Sequence, residues 1–365
     1  MLLLLLVATA VQLLVWGFIF LPALSGSVSG APHERPVSIV VCFRNEAARI
    51  VDCLTALLAQ EHAELEIIAV DDHSDDETAD LIQQLAADHP QLRMVRPDFS
   101  RPGKKDALST GIAAARHPLL LLTDADCRPV GTDWVTRMTA PLAAETADTV
   151  LGCSPYRRTP GVLNFWQRFE ATQTVLQYQG LARLGLPYMG VGRNLAYTRE
   201  FFTAADGFTE HLSLPGGDDD LLINRHATPT RTARATQPGS WTVSEPSVSW
   251  ENYIYRKVRH QSVGFHYRRR HQLLLSAIAL SHGLFYLGGL VLLLTPVWSW
   301  ALALYGLRAV LVVATYVRAP VADFLGGAAG AGKVGRIPAL LVADALYSFY
   351  YLFLLFATFS DRRSW

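Results

Sequence analysis

The sequence predicts an α/β protein with a mostly parallel sheet, carried on hydrophobic helices at both ends. Three observations lead there. Short β-branched or leucine-rich runs at 37–43, 66–70, 92–95 and 119–124 alternate with stretches of helical periodicity, the pattern of right-handed βαβ units. Two of those runs stop abruptly at carboxylates, Asp71-Asp72 and Asp124-Ala125-Asp126. Apolar stretches long enough to cross a bilayer, for which about 20 residues suffice, lie at 1–24 and beyond residue 271.

Each element has its own signal. Val37 to Phe43 is a β-branched strand entered from Pro36, and Arg44-Asn45-Glu46 follows it. Ile50, Leu54, Leu57 and Leu58 then fall on one helical face. After the strand at 66–70, Ser74 with Glu77 three residues on reads as a capping box, opening a helix that carries Leu81, Ile82 and Leu85 and ends near His89-Pro90. Leu92 to Val95 is a third strand, Pro102-Gly103 turns the chain, and Lys104 to Ala115 is helical. The unbroken apolar run Leu119 to Leu122 fits a strand covered on both faces.

Ligands of parallel sheets bind beyond the carboxyl ends of the strands, so both acidic strand ends belong on one edge. Carboxylates gathered there repel unless a cation, a sugar hydroxyl or a base edge meets them. Asp124 and Asp126 are alternate residues of an extended segment and point the same way. Such a pair suits a hard divalent cation that also holds phosphates. Turn chemistry at Asp71-Asp72 and a surface loop after residue 124 are the plainer alternatives.

Half of the 365 residues are hydrophobic, and 32 basic residues balance 32 acidic ones, which gives no support for nucleic-acid binding. Cys42, Cys53, Cys127 and Cys153 show no metal-ligand spacing and no disulfide framework, as expected in a reducing compartment. Residues 1–24 lack a charge and a basic leader, so they read as an uncleaved transmembrane helix rather than a signal peptide. Residues 271–318 read as a transmembrane hairpin, with spans at 273–294 and 298–317 broken by Thr295-Pro296. Residues 337–360 are a further transmembrane or re-entrant helix containing Asp344, which is costly in lipid unless it faces protein or water. Arg268-Arg269-Arg270, Arg318, Lys333 and Arg336 share one side of this arrangement. The positive-inside rule makes that side cytoplasmic, with residues 36–270 on it. The tail Asp361-Arg362-Arg363 then falls outside, so the topology of the last segment stays open. The Gly/Ala stretch 325–332 reads as a loop. Trp166, Phe169 and Leu176 recur at helical spacing, and a helix packed on the soluble domain is expected there, with an interfacial helix as the alternative.

Several motifs are familiar in combination. Val37-Ser38-Ile39-Val40-Val41, Arg44-Asn45-Glu46, the stretch Val70-Asp71-Asp72-His73-Ser74-Asp75-Asp76-Glu77-Thr78, Gly103-Lys104-Lys105-Asp106-Ala107-Leu108 and Thr123-Asp124-Ala125-Asp126 occur in that order. Together they resemble family 2 glycosyltransferases, over residues 36 to about 270. The resemblance implies a GT-A fold and inverting transfer from a nucleotide-diphosphate sugar, UDP-linked by preference, with Mg²⁺ or Mn²⁺. It places Asp72 on the nucleotide base or ribose with Lys104 assisting, Asp124 on the nucleotide sugar and Asp126 on the metal.

The second half extends it. Pro187-Tyr188-Met189-Gly190-Val191-Gly192-Arg193-Asn194-Leu195-Ala196-Tyr197 looks like the family's glycine-rich segment near donor and acceptor, which brings in Arg193 and Asn194. Gly216-Gly217-Asp218-Asp219-Asp220 resembles the motif that supplies the catalytic base. Asp219 matches best, and Asp218 and Asp220 stay open because three consecutive acids allow a slip of one residue. An inverting transfer needs one carboxylate to take the acceptor proton, and neighbouring acids raise each other's pKa towards neutrality. Arg256-Lys257-Val258-Arg259-His260 looks like the Gln-X-X-Arg-Trp motif of membrane synthases, with Arg256 for Gln and His260 for Trp. Guanidinium groups suit a diphosphate, and a basic stripe facing anionic lipid is the competing explanation. These departures put processive synthesis in doubt.

The expected partners are a nucleotide-sugar donor, a lipid-linked or glycan acceptor, the membrane and, for polymer export, partner subunits. Two other classes stay in view. A sugar nucleotidyltransferase shares a similar core but has no need of residues 218–220 followed by an arginine-rich segment. A non-catalytic membrane partner would keep the fold to bind a nucleotide sugar or a glycan-synthesis subunit.

Overall fold

The computed structural model describes residues 1–26, 31–98, 103–214, 216–326 and 336–360. Contacts divide the chain into two compact units. One consists of Gly26–Arg157 and Gly185–Pro246; the other consists of Met1–Ser25, Arg158–Leu184 and the chain from Ser247 onward.

The first unit is built on a mixed sheet. Its strands are β1 (Val37–Phe43), β2 (Leu65–Asp71), β3 (Leu92–Val95), β4 (Leu119–Asp124), β6 (Thr149–Leu151), β7 (Leu195–Thr198) and β8 (Thr232–Arg234), in the order β3-β2-β1-β4-β7-β6-β8. β5 (Cys127–Pro129) and β9 (Thr242–Ser244) form a separate antiparallel ribbon. β1 pairs in parallel with β2 and β4, and β2 with β3. β7 runs antiparallel to its neighbours β4 and β6. The register sets Phe43 opposite Asp71 and Cys42 opposite Asp124, so both acidic strand ends meet at one edge beside the end of β1.

The apolar runs are buried on both faces, as their continuity predicts. Val37, Ile39, Val41 and Phe43 pack with the helices Ile50–Leu58 and Trp134–Ala143 through Leu54, Leu57, Trp134 and Met138. On the other face the helix Lys104–Ala114 lies so close that a Cβ on Gly111 would meet Val40 at 2.6 Å and Val70 at 2.7 Å. That close approach carries Lys104, at the start of the helix, to the acidic edge.

The capping box at Ser74 is not formed. The helix is Thr78–Asp88, and its N-cap, Glu77, makes no side-chain cap bond. Ser74 is used elsewhere: its hydroxyl accepts the Asn45 N–H at 3.0 Å, and its own N–H donates to Asp71 at 2.9 Å. Thr78 likewise accepts the Glu46 N–H at 2.9 Å. Tying down the turn after β1 outcompetes the local cap. Pro102, Lys333 and the tail 361–363 lie outside the described residues, as does most of the Gly/Ala stretch.

Among the described residues of the second unit, four helices are long and apolar enough to cross a membrane: Leu2–Phe20, Arg269–Leu292, Trp298–Val317 and Ile337–Phe359. The helix Val162–Arg183 belongs with them rather than with the sheet, which corrects its expected packing on the soluble domain. Trp166 meets Tyr350 at 5.2 Å between ring centroids, Phe169 meets Tyr347 at 5.5 Å, and Gln173 donates to the Tyr316 hydroxyl at 2.7 Å. Periodicity marked its buried face but not what would cover it. Asp344 is fully buried and bound by Arg308 at 2.5 Å, by the Tyr286 hydroxyl at 2.5 Å and by His282 at 3.3 Å. Arg308 also donates to Gln12 at 3.1 Å. The protein-facing condition for an acid at this depth is met.

Candidate active site

The acidic edge of the sheet gathers side chains from four segments. β4 delivers Asp124, and the helix Lys104–Ala114 delivers Lys104, whose Nζ lies 3.0 Å from Asp124 and 3.1 Å from Asp218. Neighbouring protein opposes the Lys104 charge, although 41 % of the side chain meets solvent. Asp124, Asp218 and Asp219 outweigh that and hold its pKa well above the ordinary lysine value.

Asp219 caps the helix Asp220–His226, accepting the Asp220 N–H at 2.8 Å and the Gly192 N–H at 2.6 Å. Gly192 lies against the acids, since a Cβ there would sit in ordinary contact, 3.4 Å from Asp219 and 3.5 Å from both Asp218 and Lys104. The glycine-rich segment thus closes directly over the triple acid. Desolvation and the Asp218 charge raise the Asp219 carboxyl to about 6, against the pull of Lys104 and the two N–H donors. Asp220 is buried within the first turn of its helix.

Asp71 and Asp72 separate into different tasks. Asp71 is sealed in an ion pair with Arg96 at 2.7 Å. Asp72 accepts the Gly103 N–H with both oxygens, at 2.9 and 3.1 Å, and so anchors the entry to the helix bearing Lys104.

Arg193 is held by its backbone, whose carbonyl accepts the hydroxyls of Thr123 and Thr242, each at 2.9 Å. Its guanidinium lies 4.7 Å from the Tyr156 ring centroid, and its Nη1 is buried without a hydrogen-bond partner. Desolvation opposes the charge, but Tyr156, Cys127, Asp126 and Asp124 outweigh it and keep the pKa above the usual arginine value. An orphaned, fully charged donor of this kind is suited to an anion. Asn194 differs. It is fully buried, its amide hydrogens go to the carbonyls of Cys153 and Ser240, both at 2.8 Å, and its oxygen accepts from Trp134 at 3.1 Å. Those bonds tie the segments after β6 and before β9 to the helix Trp134–Ala143, so the side-chain amide is spent on bracing the fold, where the resemblance implied a substrate contact.

Asp126 ends the Asp-X-Asp segment. One of its oxygens accepts from Cys127 Sγ at 3.2 Å and from the Ser244 hydroxyl at 3.3 Å. No hydrogen bond reaches the other oxygen among the described residues. Among those residues no three His, Cys, Asp or Glu side chains are arranged to enclose a metal. The donor set nevertheless fits Mg²⁺ or Mn²⁺ held jointly with substrate phosphates, which takes one or two carboxylates and not a protein cage.

Two supports escaped the sequence reading. Lys105 is buried, and its Nζ donates to the carbonyls of His211 and, at 2.8 Å, Leu214, steadying the turn that precedes the triple acid. The Tyr197 hydroxyl is buried without a hydrogen-bond partner, and desolvation together with Asp218 raises its pKa well above the ordinary tyrosine value. The paired lysines at 104 and 105 were the available signal for the first; nothing in sequence distinguished the second. Arg256, Arg259 and His260 belong to the other unit, on the helix Trp250–Val263, with both arginines half-buried and His260 exposed. In that segment Lys257 is ion-paired, to Glu170.

Residues 38–203 match the family described as Glycosyl transferase family 2. The chain is 28 % identical over 215 residues to beta-monoglucosyldiacylglycerol synthase of Synechocystis sp., a match covering 56 % of this chain and 43 % of that protein. It is 25 % identical over 190 residues to glycosyltransferase AglE of Haloferax volcanii, covering 50 % of this chain and 58 % of the relative. The chain thus spans about half the length of these curated relatives. Among solved structures, mannosyltransferase PcManGT from Pyrobaculum calidifontis, in complex with GDP-Man and Mn²⁺, superposes with a TM-score of 0.57 at 22 % identity, over 95 % of this chain and 98 % of that one. The GT-A fold is therefore shared.

Proposed function

We propose, from the match of residues 38–203 to glycosyl transferase family 2, that the chain transfers a sugar, with inversion, from a nucleotide-diphosphate sugar to a lipid-linked or glycan acceptor at the membrane. A UDP-linked donor is the preferred reading. The catalytic domain is taken as residues 36–270, on the cytoplasmic side. The observation that carries the proposal is Asp219, a carboxyl raised to about 6 beside Asp218 and fixed by the Gly192 and Asp220 N–H groups.

In this reading Asp219 takes the proton of the acceptor hydroxyl as its oxygen bonds to the anomeric carbon. The bond from that carbon to the donor phosphate breaks on the opposite side, and the nucleoside diphosphate leaves with the electron pair. One displacement inverts the centre without a covalent enzyme intermediate. Asp218 raises the basicity of Asp219, and Lys104 tempers it. Asp72, which binds Gly103, positions the Lys104 helix and faces the nucleoside. Asp124 meets the nucleotide sugar. Asp126 is the residue that would hold a divalent cation, which when bound neutralises charge growing on the diphosphate. Arg193 offers its free donor to the same charge. Arg256, Arg259 and His260 keep, from the resemblance alone, a role with diphosphate and acceptor. Four apolar helices fit single transfer better than a private export channel, so polymer export would need partner subunits.

The test is release of free nucleotide from a panel of nucleotide sugars by detergent-purified protein, with Mg²⁺, Mn²⁺ or EDTA and with lipid acceptors supplied. Metal-dependent turnover of one donor, lost in Asp219→Asn while donor binding persists, is the expected result. Donor binding without turnover of any donor would favour the non-catalytic membrane partner.

A further inference from the structure

A second charged cluster lies in the helical unit and has no role in the proposed transfer. Arg168, on the helix Val162–Arg183, is only 7 % exposed, and its Nε is buried with no hydrogen-bond partner. Its charged neighbours are Arg158 and Arg336. No carboxylate pairs with any of the three among the described residues. Gly326, at φ +69°, comes so close that a Cβ there would lie 2.8 Å from an Arg168 Nη and 3.1 Å from its Cζ. Arg158 reaches the Gly326 carbonyl at 3.4 Å. Burial and the two like charges push the Arg168 pKa down to about 10.

A buried cation without a counter-charge is costly. Asp323, three positions before Gly326, is exposed and forms no ion pair with any of the three arginines among the described residues. Residues 327–335, which join Gly326 to Arg336, contain no Asp or Glu. The position of the cluster indicates what supplies the charge. The helix Arg269–Leu292 starts and Trp298–Val317 finishes at one end of a hairpin, and the short helix Ala319–Phe324 leads from there directly to Gly326. When these helices span a bilayer, that end is at the level of the lipid head groups.

We propose that Arg158, Arg168 and Arg336 form a binding site for the phosphate of a lipid head group. Guanidinium groups grip phosphate oxygens in pairs. Gly326 leaves the room that any side chain would fill. The site stands apart from the transfer chemistry and does not rest on it. Free inorganic phosphate offers the same chemistry, so the experiment must separate the two sources.

Full-length protein in uncharged detergent is titrated with phosphatidic acid, phosphatidylcholine or inorganic phosphate, and bound lipid is counted by native mass spectrometry. The expected result is saturable binding of phosphatidic acid, weakened at least tenfold in Arg168→Gln and several-fold in Arg336→Gln. Millimolar inorganic phosphate does not displace the lipid. Without lipid, Arg168→Gln unfolds at no lower temperature than the parent, because an uncompensated charge has been removed. Arg336 is half-buried, so Arg336→Gln carries the test if the first variant folds poorly. The proposal is overturned by equal binding of phosphatidylcholine, by inorganic phosphate binding as tightly as the lipid, or by unchanged phosphatidic acid affinity in both variants.

Discussion

Asp344 and Asp219 are acids held in opposite surroundings. Asp344 is fully buried among the apolar helices and meets Arg308, Tyr286 and His282. Asp219 is half-buried at the sheet edge, beside another carboxylate, and shares one partly exposed lysine with Asp218 and Asp124. The first charge is compensated within the fold, so its removal injures the fold. The second is left in excess, so its removal injures what the excess is for. The same contrast separates two arginines, since Arg308 has Asp344 and Arg168 pairs with no acid among the described residues.

The comparison breaks first at Asp219. Asp219→Asn is expected to lower transfer by about 10³-fold while leaving the unfolding temperature and donor binding close to the parent's, measured by nucleotide release and by titration with donor. A matching loss of stability would place Asp219 with Asp344. Next, Asp344→Asn strands the Arg308 charge and is expected to cost about 3–5 kcal/mol, read as a lower unfolding temperature in detergent. The double change Arg308→Met with Asp344→Leu should recover most of that loss, and failure to do so would mean the pair does more than neutralise itself.

A third test uses pH. Asp219 must be unprotonated to accept a proton, and its pKa is raised to about 6, so transfer should fall as pH drops through that value. Lys104 lowers this pKa; Lys104→Met should therefore shift the acidic limb of the pH–rate profile upward, by about a unit, or roughly tenfold in rate on the limb. An unmoved limb would assign it to another group. The smallest effect concerns the brace behind Arg193. Thr123→Val removes a hydroxyl that donates to the Arg193 carbonyl, which Thr242 also supplies. A loss of about 1 kcal/mol in stability, with little change in transfer, is expected from chemical denaturation.

Much of the sheet-bearing unit was legible because its signals are local and redundant. The runs 37–43, 92–95 and 119–124 became strands with those bounds, and the Asp-X-Asp and triple-acid segments met around Lys104. The misreadings share a cause. Ser74 looked like a cap because its four-residue window fits one, yet its hydroxyl is taken by Asn45, about thirty positions earlier. Asn194 looked like a ligand contact because it sits in a glycine-rich stretch, yet its bonds run to Trp134, Cys153 and Ser240. A side chain's partner across the fold leaves no trace in its neighbours along the chain.

The sequence by itself determined the strand–helix alternation, the convergence of acidic strand ends and the four apolar spans, because periodicity and strand polarity depend on residues near one another. Tertiary structure alone decided which charges are answered. It joined Asp344 to Arg308 across 36 positions and, among the described residues, left Arg168 without an acid. It also moved the helix Val162–Arg183 from the sheet to the apolar helices. Electrostatic compensation and the covering of an amphipathic face are set by distance in space, and only the packed molecule fixes those distances.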